Sequence, residues 1–132
     1  MKYATLILTA ALALSSCTTC PFGCGSTAKG RVDHIVLVWL KRPGNAADRA
    51  ALLACAQTFR AEIKQIKRLE VGTAVPSDRP VVDDSFDVGF VLRFANKAAM
   101  DAYEKHPVHA NAVKTTLMPL ARKVLVYDIG CE

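Results

Sequence analysis

Three histidines and one tyrosine carry most of the chemistry open to this chain. Tyr103, His106 and His109 fall in the run Tyr103-Glu104-Lys105-His106-Pro107-Val108-His109, and His34 stands alone in an apolar stretch. Imidazole titrates near neutrality, so it can take or return a proton at working pH. A phenol beside it can donate a hydrogen bond to a developing enolate or alkoxide. Base plus donor is a kit for removing a proton next to a carbonyl. Metal binding is a weaker use of the same residues. Pro107 spoils helical i, i+3 geometry for His106 and His109, and no Asp or Glu is clearly placed with them. Each residue also has a plainer reading. His34 could be a core histidine satisfied by a backbone or Asp partner, and Tyr103 a helix residue packing its ring on a sheet. His106-Pro107 could simply shape a helix break that His109 braces.

The cysteines divide by position. Of the first 16 residues, 11 are hydrophobic, after a single early Lys2. The uncharged run at 4–14 would reach only about 16 Å as a helix, against a bilayer core of about 30 Å. It fits the apolar core of a signal peptide. Leu14-Ser15-Ser16-Cys17 follows and resembles the bacterial lipobox, so Cys17 is the expected lipidation site and mature N-terminus. Thr18 in place of Asp points to the outer membrane, given a Gram-negative source. Residues 1–16 are thus read as a lipoprotein signal peptide, 17–30 as a flexible tether and 31–132 as the folded domain. Export permits disulfides, and Cys20, Cys24, Cys55 and Cys131 allow three pairings.

Other classes drop out. Seventeen Lys plus Arg against twelve Asp plus Glu give a net charge of +5, but without a block of like charges. No recognition motif accompanies it, so nucleic acid is not an expected partner. Gly-x-Ser-x-Gly, Gly-x-Gly-x-x-Gly and P-loop patterns are all missing from the sequence, and no cofactor is expected.

The elements that must position these residues follow from hydrophobic period. Val32 to Leu40 reads as a buried strand with Val32, His34, Val36, Val38 and Leu40 on one face. Asn45 is an N-cap, and Leu52, Ala56, Phe59, Ile63 and Ile66 form one helical stripe. Residues 69–75 and 86–95 read as strands, the second with Phe86, Val88, Phe90, Leu92 and Phe94 on one face. Asn96 caps a helix to about residue 106, Pro107 restarts it as far as about 120, and 122–129 is the last strand. The order β-α-β-β-α-β predicts a ferredoxin-like α+β sandwich. Its helix-facing side would give His34 a pocket made by Val36, Val38, Phe90, Leu92, His106, Val124 and Val126. Apolar surroundings disfavour imidazolium, so neutral His34 could act as a base. The other side would carry Ile35, Leu37, Trp39, Val91, Leu125, Tyr127 and Ile129, too apolar to leave in water, which argues for a homodimer. An antiparallel last strand brings Cys131 beside Arg31, so a disulfide from Cys131 to Cys24 or Cys20 is expected.

The string Tyr-x-x-His-Pro-x-His at 103–109, with Val32-Asp33-His34-Ile35-Val36-Leu37 as first strand, resembles the stress-responsive dimeric A/B barrel (Dabb) family. The resemblance spans nearly the whole domain. It implies a homodimer whose sheets face each other as a dimeric α/β barrel. Family activity is not uniform. One plant branch, of the olivetolic acid cyclase type, cyclises a polyketide thioester without a cofactor. Carried over by position, its catalytic residues fall on His34, Tyr103 and His109. The wider superfamily includes cofactor-free oxygenases acting on polyketide quinones. The expectation is therefore an envelope lipoprotein with a dimeric barrel domain and an apolar pocket for a small apolar or aromatic molecule. The alternative is a cofactor-free acid/base enzyme acting on a carbonyl compound.

Overall fold

Alternation of apolar residues puts Val32, His34, Val36, Val38 and Leu40 on one face of β1 (Val32–Leu40). The computed structural model describes residues 29–132. The expected signal peptide and nearly all of the tether, with Cys17, Cys20 and Cys24, lie outside the described residues. After β1 come α1 (Ala46–Glu62), β2 (Ile66–Gly72), β3 (Val88–Phe94), α2 (Lys97–Glu104) and α3 (Pro107–Ala112). A π-helical turn (Val113–Leu117) and a short helical turn (Met118–Leu120) lead into β4 (Ala121–Gly130). The sheet order is β2-β3-β1-β4 with every neighbour antiparallel, the ferredoxin-like α+β arrangement expected.

The helices cover one face. Val38, Leu40, Leu52, Ile63, Leu92 and Phe94 are fully buried there, each contributing about 1.5–3 kcal/mol of transfer free energy. The first turn of α1 is fixed from outside. Asn45 accepts a hydrogen bond from Asp48 N at 3.0 Å, and Arg42 pairs with Asp48. Asp87 accepts from Leu40 N at 2.8 Å and from Gly44 N at 2.6 Å. Gly44 has φ 73°, a left-handed conformation that suits glycine.

Several local expectations change. Helix α1 stops at Glu62, because Ile63 is already extended at ψ 96° and donates to Phe59 O. Ile63 stays in the core, but Ile66 opens β2 instead of closing the helical stripe. Residues 73–75 and 86–87 leave the ladder. Phe86 therefore escapes the strand alternation and turns to the opposite face, where its ring meets Trp39 edge-on at 6.4 Å. Trp39 is consequently buried within one subunit, donating to Ser85 Oγ at 2.9 Å under the Lys123 ammonium. It is not part of an open apolar face. Ile35, Leu37 and Leu125 on that face are half-buried, while Val91, Tyr127 and Ile129 are exposed.

The expected neighbours at the chain ends are in place. Cys131 N donates to Arg31 O and Gly30 N to Cys131 O, both at 2.8 Å. Cys131 is disulfide-bonded. Its expected partners, Cys24 or Cys20, lie outside the described residues. Cys55 is a free thiol. Among the described residues no helix is long and apolar enough to cross a membrane.

Candidate active site

Register places the first histidine. His34 on β1 stands opposite Leu92 on β3 and Asp128 on β4. Opposed residues share a sheet face, so all three point toward the helices. The His34 side chain is buried, and its Nδ1 lies 2.6 Å from Asp128 Oδ1. A carboxylate only accepts, so Nδ1–H donates to it and Nε2 is the nitrogen left outside the pair. The surroundings of His34 are therefore not purely apolar, as the strand pattern suggested. They contain one carboxylate that fixes the ring and its tautomer.

Helix α2 supplies the phenol. Tyr103 falls one residue before the end of α2, on its buried side, and only 2% of it is exposed. Its ring packs against Phe94 at 5.0 Å, Phe59 at 6.0 Å and His34 at 5.9 Å between centroids. Burial holds the phenol far above its usual range, so it stays protonated and keeps its O–H to donate. Among the described residues nothing accepts from that hydroxyl, although nine-tenths or more of the side chain is covered.

Pro107 supplies the third position. It breaks the helix after α2 and starts α3, with His106 as N-cap accepting from Val108 N at 3.3 Å through Nδ1. The restarted helix swings His109 over Tyr103, with ring centroids 4.4 Å apart. His109 Nδ1 lies 3.0 Å from Glu104 O. A carbonyl only accepts, so Nδ1–H donates and Nε2 is the basic nitrogen. Desolvation pushes its pKa below the ordinary 6.5, partly offset by that backbone hydrogen bond. Neutral His109 is thus the prevailing form near pH 7.

These side chains border one cavity of about 510 Å³, a volume suited to a small organic molecule. Val36, Phe90, Leu92, Val124 and Val126 line it beside His34, Tyr103 and His109. Val38 and His106 do not: Val38 is sealed in the core and His106 is spent on the cap. Leu52, Cys55 and Phe59 of α1, Glu104 at the end of α2, Ala112 of α3, and Val113, Leu117 and Met118 beyond it complete the wall. Met118 and Val126 remain well exposed and form its rim. Among the described residues no cluster of His, Cys, Asp or Glu could hold a metal ion. The polar groups gather at one end of an apolar space: two imidazoles and one phenol donor. That set can bind a carbonyl oxygen and move a proton at the adjacent carbon.

The family model of the stress responsive A/B barrel domain matches residues 32–131. The chain belongs to this family. A Dabb protein with a ferredoxin-like fold from Mesorhizobium loti has 26% identity and a TM-score of 0.63, over 76% of this chain and 96% of that one. A dimeric ferredoxin-like protein of unknown function from Jannaschia sp. has 25% identity and a TM-score of 0.62, over 76% and 98%. A hydroxynitrile lyase from Passiflora edulis has 17% identity and a TM-score of 0.68, over 80% and 95%; at that identity the likeness is one of fold. Among curated proteins none matches this Dabb chain.

Proposed function

We propose that this Dabb domain binds a small, largely apolar carbonyl compound and moves a proton at the carbon next to the carbonyl, without a cofactor. The observation that carries the reading is the Tyr103 hydroxyl, which has no acceptor among the described residues, on a ring that lines the cavity beside those of His34 and His109. A ligand oxygen in the cavity would replace water as the acceptor of that donor. His34, oriented by Asp128, and His109 are the proton acceptor and donor.

The working unit is a homodimer. The exposed Val91, Tyr127 and Ile129 form an apolar patch on the sheet face away from the helices, as a second sheet would require. The Jannaschia relative is described as dimeric. Export and lipid attachment at Cys17 would hold the dimer at the outer membrane, facing the periplasm. The order of Lys2, the apolar run and Leu14-Ser15-Ser16-Cys17 supports this placement.

The test is binding plus isotope exchange. Aromatic and polyketide-like ketones are screened by native mass spectrometry, and bound ketones are followed by NMR in D₂O for loss of the proton next to the carbonyl. Binding with exchange abolished in His34→Ala supports the reading. Binding without exchange reduces the cavity to a ligand carrier, and no binding sinks both.

A further inference from the structure

Cys55 is unused by the chemistry above. It is a free, partly buried thiol on α1, and it lines the same cavity as Tyr103 and His109. One helical turn later on the same face comes Phe59. The Phe59 ring meets both Tyr103, at 6.0 Å, and His109, at 5.8 Å between centroids. The thiol therefore stands about one helical turn from the polar end of the cavity. A lone thiol in a wall would mean little. Here the unpartnered Tyr103 hydroxyl, on a residue 2% exposed, independently marks where a ligand oxygen belongs.

We propose that the cavity takes α,β-unsaturated carbonyl compounds and that Cys55 adds to them, forming a thioether. The Tyr103 hydroxyl donates to the carbonyl oxygen, which places the β-carbon toward α1. The Cys55 sulfur forms a C–S bond to the β-carbon as the C=C π pair shifts to lie between the α-carbon and the carbonyl carbon and the C=O π pair moves onto oxygen. Tyr103 stabilises that enolate. His109 Nε2 takes the thiol proton and returns it to the α-carbon. The product contains every atom of the enone, with no leaving group and no co-reactant. This rests on the carbonyl-binding reading above and narrows its ligand class.

The probe is 3-nonen-2-one, with saturated 2-nonanone as its non-electrophilic twin and iodoacetamide as a measure of plain thiol access. Intact mass and peptide mapping of the full chain should show one enone added on the Cys55 peptide. Addition should be at least about tenfold faster than to free glutathione, the gain expected of a positioned reactant. It should be slowed by 2-nonanone and lost in Cys55→Ala. Tyr103→Phe should slow the addition while leaving iodoacetamide labelling of Cys55 unchanged. Iodoacetamide labelling without enone addition overturns the proposal, and so does addition no faster than to glutathione. If 2-nonanone binds by native mass spectrometry while Cys55 stays unmodified, the thiol chemistry fails and the carbonyl site stands. If neither ketone binds, the carbonyl reading fails and this one with it.

Discussion

Asp128 Oδ1 accepts a hydrogen bond from His34 Nδ1 at 2.6 Å, from the edge strand to the centre of the sheet. The acid is partly exposed and the histidine buried, so the carboxylate stays hydrated while its field reaches inward. Replacing it tests orientation more than stability. Asp128→Asn replaces an acceptor-only group with an amide that can also donate, so the ring can invert its tautomer. Proton exchange at a bound ketone should fall at least about tenfold. Urea denaturation should show a loss of no more than about 1 kcal/mol, as for a half-exposed pair.

Tyr103→Phe and Tyr103→Ala should separate the hydroxyl from the ring. The hydroxyl meets no acceptor among the described residues, so its loss should change stability by less than about 1 kcal/mol while weakening ketone binding. Loss of the ring, packed on Phe94, Phe59 and His109, should cost about 3–5 kcal/mol. Equal destabilisation in the two variants would show that the phenol has a structural partner.

His109 sets a pH dependence. Its folded pKa lies below 6.5 because burial disfavours the imidazolium. Between the folded value and 6.5 the unfolded chain binds more protons, so stability rises with pH in that window. Above 6.5 the contribution is fully present, and it is lost as pH falls toward the folded value. Denaturation midpoints of wild type and His109→Gln should therefore diverge in slope only below 6.5. The acid limb of proton exchange should also fall below 6.5.

The apolar patch on the open sheet face should govern assembly. Ile129→Glu introduces a charge where the side chain is 56% exposed in one subunit, so folding should survive. Sedimentation velocity should give a dimer for wild type and a monomer for the variant. Trp39 emission should stay that of a buried indole in both, because Phe86 and Lys123 cover it within the subunit. An unshifted dimer in Ile129→Glu would move the interface elsewhere.

Cys17 should carry the membrane attachment. In a lipoprotein-processing bacterial host, intact mass should show a mature chain beginning at Cys17 with added acyl groups. Cys17→Ser should partition to the aqueous phase of a detergent extraction. A wild-type chain recovered without lipid would remove the anchor.

The period-two runs of β1, β3 and β4 made the topology readable, and the break at Pro107 gave the hinge that delivers His109. The His34–Asp128 pair was within reach of the same reasoning. The Arg31–Cys131 contact was expected, and three residues inward along each strand lie His34 and Asp128. Asp128 escaped notice because an acid in an edge strand looks like ordinary solvent-facing charge. Other features were not legible. Ile66 lies three residues after Ile63 and so satisfies helical spacing, though the chain has already left the helix. Phe86 continues the strand alternation in sequence, yet it precedes the ladder and turns the other way onto Trp39. His106 belongs by sequence to the same helix-facing pocket, whereas its ring caps α3. Cys55 and Phe59 were readable as core, but the cavity they border depends on how α3 and the π-helical segment lie over β4.

That π-helical segment has an evolutionary consequence. Met118 N bonds to Val113 O, five residues back, one more than an α-helical turn needs. Deleting one residue between them would let the turn close as ordinary α-helix and leave the flanking turns in phase. A single gain or loss of a codon there would redraw the wall formed by Val113, Leu117 and Met118. Tyr103, before the segment, and Asp128, after it, would keep their places. The segment is a point where descendants of this chain can change what fits the cavity without rebuilding the groups that act on it.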